Sequence, residues 1–220
     1  MLLPHEWPPS DANRDAIARY VSARGQGAWQ SAITRGQYEF PDGLFFGGTR
    51  PTWSNLAWRE VLGTHARHAG RIAWIDIHTG LGPSGVGERI YAGPDDAAEV
   101  ARARRWWDGA GSTPVTSIYD GSSSSAFLTG LMWGSIPQEC PRAQYTGIAL
   151  EFGTVPLLET LQALRAEQWL QLHLDVPQAQ AAGIKQQLKD AFHSETKEWQ
   201  TQVLHQAREA MFQAIGGLES

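Results

Sequence analysis

Two apolar runs of the sequence end in polar side chains that can take part in chemistry. Asp76 and His78 close the run at 71–78, and Glu151 comes near the end of the run at 147–152. Residues two apart project to the same side of a strand, so Asp76 and His78 are expected to face together. A neutral imidazole can bind a metal while a carboxylate orients it. A carboxylate in apolar surroundings has a raised pKa and suits general-base work on water.

Each residue also has a simpler interpretation, and the spacing alone does not choose between them. His78 could cap its strand and hydrogen-bond to the backbone of the following turn. Glu151 could form a structural ion pair with an arginine. The informative feature is the combination, because ligands in α/β sheets bind beyond the carboxyl ends of the strands. We therefore predict that His78 and Glu151 face one cleft.

The elements that would hold this cleft alternate along the chain. Runs 71–78 and 147–152 are apolar on both faces, as in strands of a sheet that is covered on both sides. Residues 115–119 form a possible third, short strand. Helices are predicted at 11–24, 28–35, 54–69, 95–107, 156–172, 178–192 and 195–215. This order indicates one α/β domain over residues 1–220, with few strands for a fully covered sheet.

Composition excludes several classes of protein. The net charge of −5 and the absence of any Lys and Arg cluster argue against nucleic-acid binding. No apolar run reaches the length that a membrane span needs, and the first residues lack the features of a secretory signal. Cys140 is the only cysteine, so an intrachain disulfide is impossible. These features predict a cytoplasmic protein, in which the ten tryptophans serve mainly as packing residues.

The motifs around His78 and Glu151 resemble those of a bacterial zinc-carboxypeptidase-like family of largely uncharacterised proteins. That family is related to carboxypeptidase A and, more distantly, to succinylglutamate desuccinylase and aspartoacylase. The resemblance covers most of the chain and weakens after about Glu159. The segments that carry it are 75–83 (Ile-Asp-Ile-His-Thr-Gly-Leu-Gly-Pro), 149–154 (Ala-Leu-Glu-Phe-Gly-Thr), 38–41 (Tyr-Glu-Phe-Pro), 47–48 (Gly-Gly) and 51–55 (Pro-Thr-Trp-Ser-Asn).

The resemblance implies a zinc-dependent hydrolase of peptides or acyl-amino acids with a three-layer αβα sheet. His78 corresponds to the third zinc ligand, and Glu151 to the carboxylate that activates the attacking water. Arg50 and Tyr119 are the expected substrate-binding residues, although a surface ion pair is the simpler interpretation of Arg50. Zinc is the expected cofactor.

One departure from the family concerns the rest of the zinc site. The family takes its first two ligands from an upstream His-x-x-Glu motif, followed by an Asn-Arg pair that holds the substrate carboxylate. No His in this sequence has Glu three residues later. The resemblance therefore implies an N-terminally truncated chain. It is either part of a hydrolase completed by an N-terminal segment or a homo-oligomer, or an inactive remnant that serves as a binding or structural module.

Three other patterns suggest different chemistry with weaker support. Residues 80–85 match the G-x-G-x-x-G dinucleotide fingerprint, but no helix is predicted directly after them. Residues 122–125 are four serines without the G-x-S-x-G turn of a serine hydrolase. His65 and His68 share a helical face and could chelate a metal, or simply lie on a solvated surface.

Overall fold

A computed structural model describes residues 2–109 and 111–220. Eight α-helices occur in these residues: α1 Asp11–Arg24, α2 Gln26–Thr34, α3 Trp53–Val61, α4 Ala97–Trp107, α5 Ser135–Glu139, α6 Leu157–Leu172, α7 Gln178–Phe192 and α8 Lys197–Glu219. The four strands are β1 Arg71–Ser84, β2 Gly87–Tyr91, β3 Val115–Ser117 and β4 Gln144–Gly153. A π-helical turn, Leu62–Ala66, follows α3, and a 3₁₀ turn, Met132–Gly134, precedes α5.

Side-chain caps fix where several helices begin. The hydroxyl of Ser10 accepts a hydrogen bond from the Asn13 N–H at the start of α1, and Thr52 does the same for α3. At α4 the Asp96 carboxylate accepts from two backbone N–H groups. Each cap satisfies backbone donors that have no partner inside the helix.

The strands form one mixed sheet in the order β1-β4-β2-β3. β1 and β4 are parallel and pair in register from Arg71 opposite Gln144 to Thr79 opposite Phe152. β2 runs antiparallel to β4 and parallel to β3. Among the described strands, β1 therefore lies at one edge of the sheet and β4 inside it.

Helices cover both faces of the sheet, because alternate residues of each strand pack on opposite sides. On one face Ile148, Leu150 and Phe152 pack against α4 and α8, which contribute Trp107 and Trp199 among others. On the other face the packed residues come from β1, β4, α3, the π-helical and 3₁₀ turns, and α5 with the residue that follows it. They are Tyr145, Leu62, Trp133, Ile136 and Cys140, with Trp58 and Trp74 against them. The predicted α/β fold with three layers is confirmed.

The predicted strands are confirmed, with two additions. β1 continues past residue 78, where the predicted strand ends, to Ser84. β2 was not predicted at all. No described helix is long and apolar enough to cross a membrane.

Candidate functional site

The pairing of β1 with β4 brings the two predicted site residues together. His78 lies directly opposite Glu151 in the parallel register, and Asp76 lies opposite Ala149. Residues opposite each other in adjacent strands point to the same face, so all three polar side chains lie on one side of the sheet near the carboxyl ends of both strands. The predicted convergence of His78 and Glu151 is present in the structure.

Asp76 holds one nitrogen of the His78 ring. The His78 Nε2 atom lies 3.0 Å from the Asp76 Oδ2 atom. An ionised carboxylate can only accept a hydrogen bond, so Nε2 carries the proton and Nδ1 is the free nitrogen of the neutral ring. The hydrogen bond to Asp76 raises the pKa of His78 above its usual value against the opposing effect of partial burial.

Trp133 also contributes to the environment of Asp76. Its indole Nε1 donates to Asp76 Oδ2 over 3.3 Å. Burial acts to raise the pKa of Asp76, but the contacts with His78 and Trp133 outweigh it and leave that pKa below its usual value. Asp76 is therefore held as a carboxylate that orients the imidazole.

Glu151 occupies a much drier position than His78. The Glu151 side chain is 9% exposed, whereas the His78 side chain is 52% exposed. The Glu151 Oε2 atom lies 3.9 Å from His78 Nδ1, and its Oε1 atom accepts the Leu81 N–H at 3.1 Å. Burial raises the pKa of Glu151, and the nearby imidazole and the Leu81 N–H only partly offset that effect. A carboxyl group with a raised pKa can exchange a proton with a bound water nearer to neutral pH.

A second carboxylate next to Glu151 was missed by the sequence analysis. Glu88 of β2 lies directly opposite Glu151 in the antiparallel pair. Its oxygens accept hydrogen bonds from the Thr116 hydroxyl at 2.6 Å and from the Ser124 backbone N–H at 3.0 Å, and the Ser124 hydroxyl also binds it. No sequence pattern predicted the strand that carries Glu88, because β2 is short and has two charged residues in its centre.

The serine segment 122–125 lies next to Glu88. Ser124 binds Glu88, and Ser122 binds Asp120 and the Ser117 backbone. The loop is thus tied beside the Glu88–Glu151 pair.

The family of the chain is set by a match to one family model. That model covers residues 1–206. The chain belongs to the family described as "Protein of unknown function (DUF2817)". No curated protein and no solved structure matches the chain.

The two predicted substrate-binding residues of this DUF2817 chain lie in different surroundings. Tyr119 lines a cavity of about 470 Å³ together with Phe127, Trp133 and Tyr145, and its hydroxyl donates to the Gly93 carbonyl at 2.6 Å. Because Trp133 also binds Asp76, this cavity shares a wall with the His78 site. Arg50 is exposed in the segment before α3 and is not among the described residues that line the cavity.

The donor set for zinc is incomplete within the residues that the structure describes. They contain no group of three or more His, Cys, Asp or Glu side chains placed to hold a metal ion. A catalytic zinc takes three protein ligands and keeps one open position. His78 Nδ1 has the chemistry of one such ligand, so these residues do not by themselves fit zinc.

Proposed function

We propose that this DUF2817 chain carries the proton-transfer part of a zinc-carboxypeptidase-like amide hydrolase, with Glu151 as its general base. The observation that supports this most is the buried Glu151 carboxyl facing His78 Nδ1 at 3.9 Å. The substrate class is a peptide or an acyl-amino acid, as the resemblance in the sequence implies.

The position and the burial of Glu151 support its proposed role as the base. It takes a proton from water as the water oxygen bonds to the amide carbon, and it returns that proton to the nitrogen as the C–N bond breaks. Burial raises the pKa of Glu151, which supports this exchange. Asp76 fixes the tautomer of His78, so that the ring presents a lone pair on the side of Glu151.

In this proposal zinc binds only when residues other than the described ones complete its set of ligands. When bound, it would polarise the amide carbonyl and acidify water. His78 would contribute one ligand, and the others would come from a complementing N-terminal segment or a second copy. The incomplete donor set also favours the alternative function, a binding or structural module of the same fold that does not hydrolyse its ligand.

Hydrolysis of N-acylated amino-acid amides and short peptides, with and without added zinc, tests the proposed reaction. We expect turnover that is lost in Glu151→Gln and retained in Glu60→Gln, which changes an exposed glutamate of α3 in the same way. Equal turnover in Glu151→Gln and wild type would contradict the assignment of the base.

Calorimetric titration of the metal-free chain with zinc separates the two functions. One-to-one binding that His78→Ala abolishes supports the hydrolase. Binding of a peptide or acyl-amino acid without zinc binding and without turnover supports the binding module.

A further inference from the structure

The cavity of about 470 Å³ that Tyr119 lines, the Tyr119 cavity, has mainly apolar walls. Its volume is typical of small-molecule sites, which span about 300–1,000 Å³. Its apolar lining includes Pro94, Phe127, Leu131, Met132 and Trp133. Two of these side chains, Phe127 and Met132, are each 43% exposed. An apolar ligand in the cavity would remove this surface from water.

The described residues that line the cavity offer no free charge to a ligand. Arg59 is the only charged residue among them. Its Nη1 atom donates to Glu139 Oε1 at 2.7 Å, its Nη2 atom to Gln138 Oε1 at 2.9 Å and its Nε atom to Asn55 Oδ1 at 3.3 Å. The guanidinium is therefore already paired, and none of the described lining residues is a carboxylate. A charged group that entered this cavity would lose hydration without gaining an opposite charge.

The wall that Tyr119 and Phe127 form is held in place by contacts outside the cavity. The two rings pack edge to face with their centroids 5.8 Å apart. Ser124, which lies between them in the chain, donates its backbone N–H to Glu88 at 3.0 Å, and its carbonyl accepts from the Gln30 side chain at 3.0 Å. A wall that is fixed before binding lowers the entropy cost of binding.

Trp133 places the cavity beside the proposed reaction. It lines the Tyr119 cavity, and its indole donates to Asp76 over 3.3 Å. Asp76 in turn binds the His78 ring at 3.0 Å. The cavity therefore begins one indole ring away from the group formed by Asp76, His78 and Glu151.

We infer that the Tyr119 cavity receives a large, neutral, apolar side chain of the substrate, of the kind that phenylalanine or leucine carries. This inference rests on the proposed function, because it narrows the class of peptide or acyl-amino acid that Glu151 would cleave. Substrates with an acidic or a basic side chain at the same position bind more weakly.

Calorimetric titration of the Glu151→Gln chain with the N-acetyl amides of phenylalanine, lysine and glutamate tests the inference. This variant lacks the proposed base, so the titration reports binding without turnover. We expect the phenylalanine amide to bind about tenfold or more tightly than the other two, because it buries an aromatic side chain in an uncharged cavity. No binding of the phenylalanine amide, or equal binding of all three amides, overturns the inference.

Met132→Glu, made in the same Glu151→Gln chain, changes the chemistry of the wall. Because Met132 is partly exposed, we expect the fold to be retained, which circular dichroism checks. Affinity for the phenylalanine amide should fall about tenfold, and the lysine amide should become the tightest binder, since the new carboxylate supplies an opposite charge. Met211→Glu is the matched control, because it changes a 53% exposed methionine of α8 and should leave all three affinities unchanged.

Phe127→Ala provides a second variant that adds no charge. It removes one ring of the wall and should weaken binding of the phenylalanine amide. Phe212→Ala is its control, since both rings are exposed and each has an arginine over it, Arg35 at 5.8 Å from Phe127 and Arg208 at 5.5 Å from Phe212. Affinities that neither Met132→Glu nor Phe127→Ala changes, or that the controls lower equally, overturn the inference.

Turnover by the wild-type chain separates this inference from the proposed function. Selective binding of the phenylalanine amide without hydrolysis supports the inferred ligand of the cavity and contradicts the proposed hydrolase. Hydrolysis of all three amides with equal kcat/KM contradicts the inferred ligand and supports the hydrolase.

Discussion

β1 and β4 are neighbouring parallel strands with similar apolar sequences, yet they offer their polar residues very different surroundings. β4 has a strand on each side, and Glu151 is buried on it. β1 has a neighbour on one side only, and His78 is half exposed. The register that sets His78 opposite Glu151 therefore places a buried carboxyl group beside a half-exposed imidazole. Position within the sheet, rather than residue type, decides which of the two groups has its charged form disfavoured.

The largest expected contrast is in stability. Ile148→Ala on β4 should lower the free energy of unfolding by about 2–5 kcal/mol, because its side chain is fully buried and leaves a cavity. Ile77→Ala on β1 should lower it by about 1 kcal/mol or less, because this side chain is half exposed. Urea denaturation measures both losses. Equal losses would mean that β1 is as well packed as β4.

A smaller effect concerns the pH dependence of stability through His78. Its pKa is raised in the folded chain, so the folded state holds this proton more tightly than the unfolded state does. That contribution is complete below the ordinary pKa of 6.5 and is lost as the pH rises through the folded pKa. Because His78 is half exposed, we expect only a few tenths of a kcal/mol.

Asp76→Asn isolates this contribution. It removes the partner that raises the pKa of His78, so the decline in stability above pH 6.5 should flatten. Urea denaturation of both proteins at pH values on either side of 6.5 measures the difference. An unchanged decline would show that Asp76 does not raise the pKa of His78.

The smallest expected effect concerns Trp133, which lies between the His78 site and the cavity. Trp133→Phe removes the indole donor to Asp76, so the pKa of Asp76 should rise, by less than it would on loss of His78. Carbon-detected NMR titration of the Asp76 carboxyl measures it. Trp58→Phe is the control, because the Trp58 indole donates to the Ser135 hydroxyl at 2.8 Å and should leave Asp76 unchanged.

The sequence predicted the two strands of the site but not their neighbours. The apolar runs at 71–78 and 147–152 identified β1 and β4, and their polar ends identified His78 and Glu151. β2 was missed because Glu88 and Arg89 interrupt its apolar pattern; Arg89 is 2% exposed and is held there by the Thr113 carbonyl and by Gln213 of α8. Such long-range partners leave no periodic signal in the sequence.

Two further features depend on tertiary contacts in the same way. Trp133 was one of ten tryptophans with nothing in its local sequence to mark its contact with Asp76. The apolar run alone predicts an interior strand. The edge position of β1 depends instead on the order of the strands in the sheet. Arg50 and Tyr119 remain predictions as substrate contacts, with only Tyr119 beside the cavity that adjoins the site.

Titration of the Glu151 carboxyl, followed by carbon-detected NMR and assigned with Glu151→Gln, tests the proposed site most directly. We expect a pKa above the ordinary value of 4.5, because burial outweighs the nearby imidazole. In His78→Gln, which removes the cation while keeping a polar side chain, that pKa should rise further. A pKa at or below 4.5, or one that does not respond to His78→Gln, would contradict the claim that the buried carboxyl and the imidazole form one proton-transfer site.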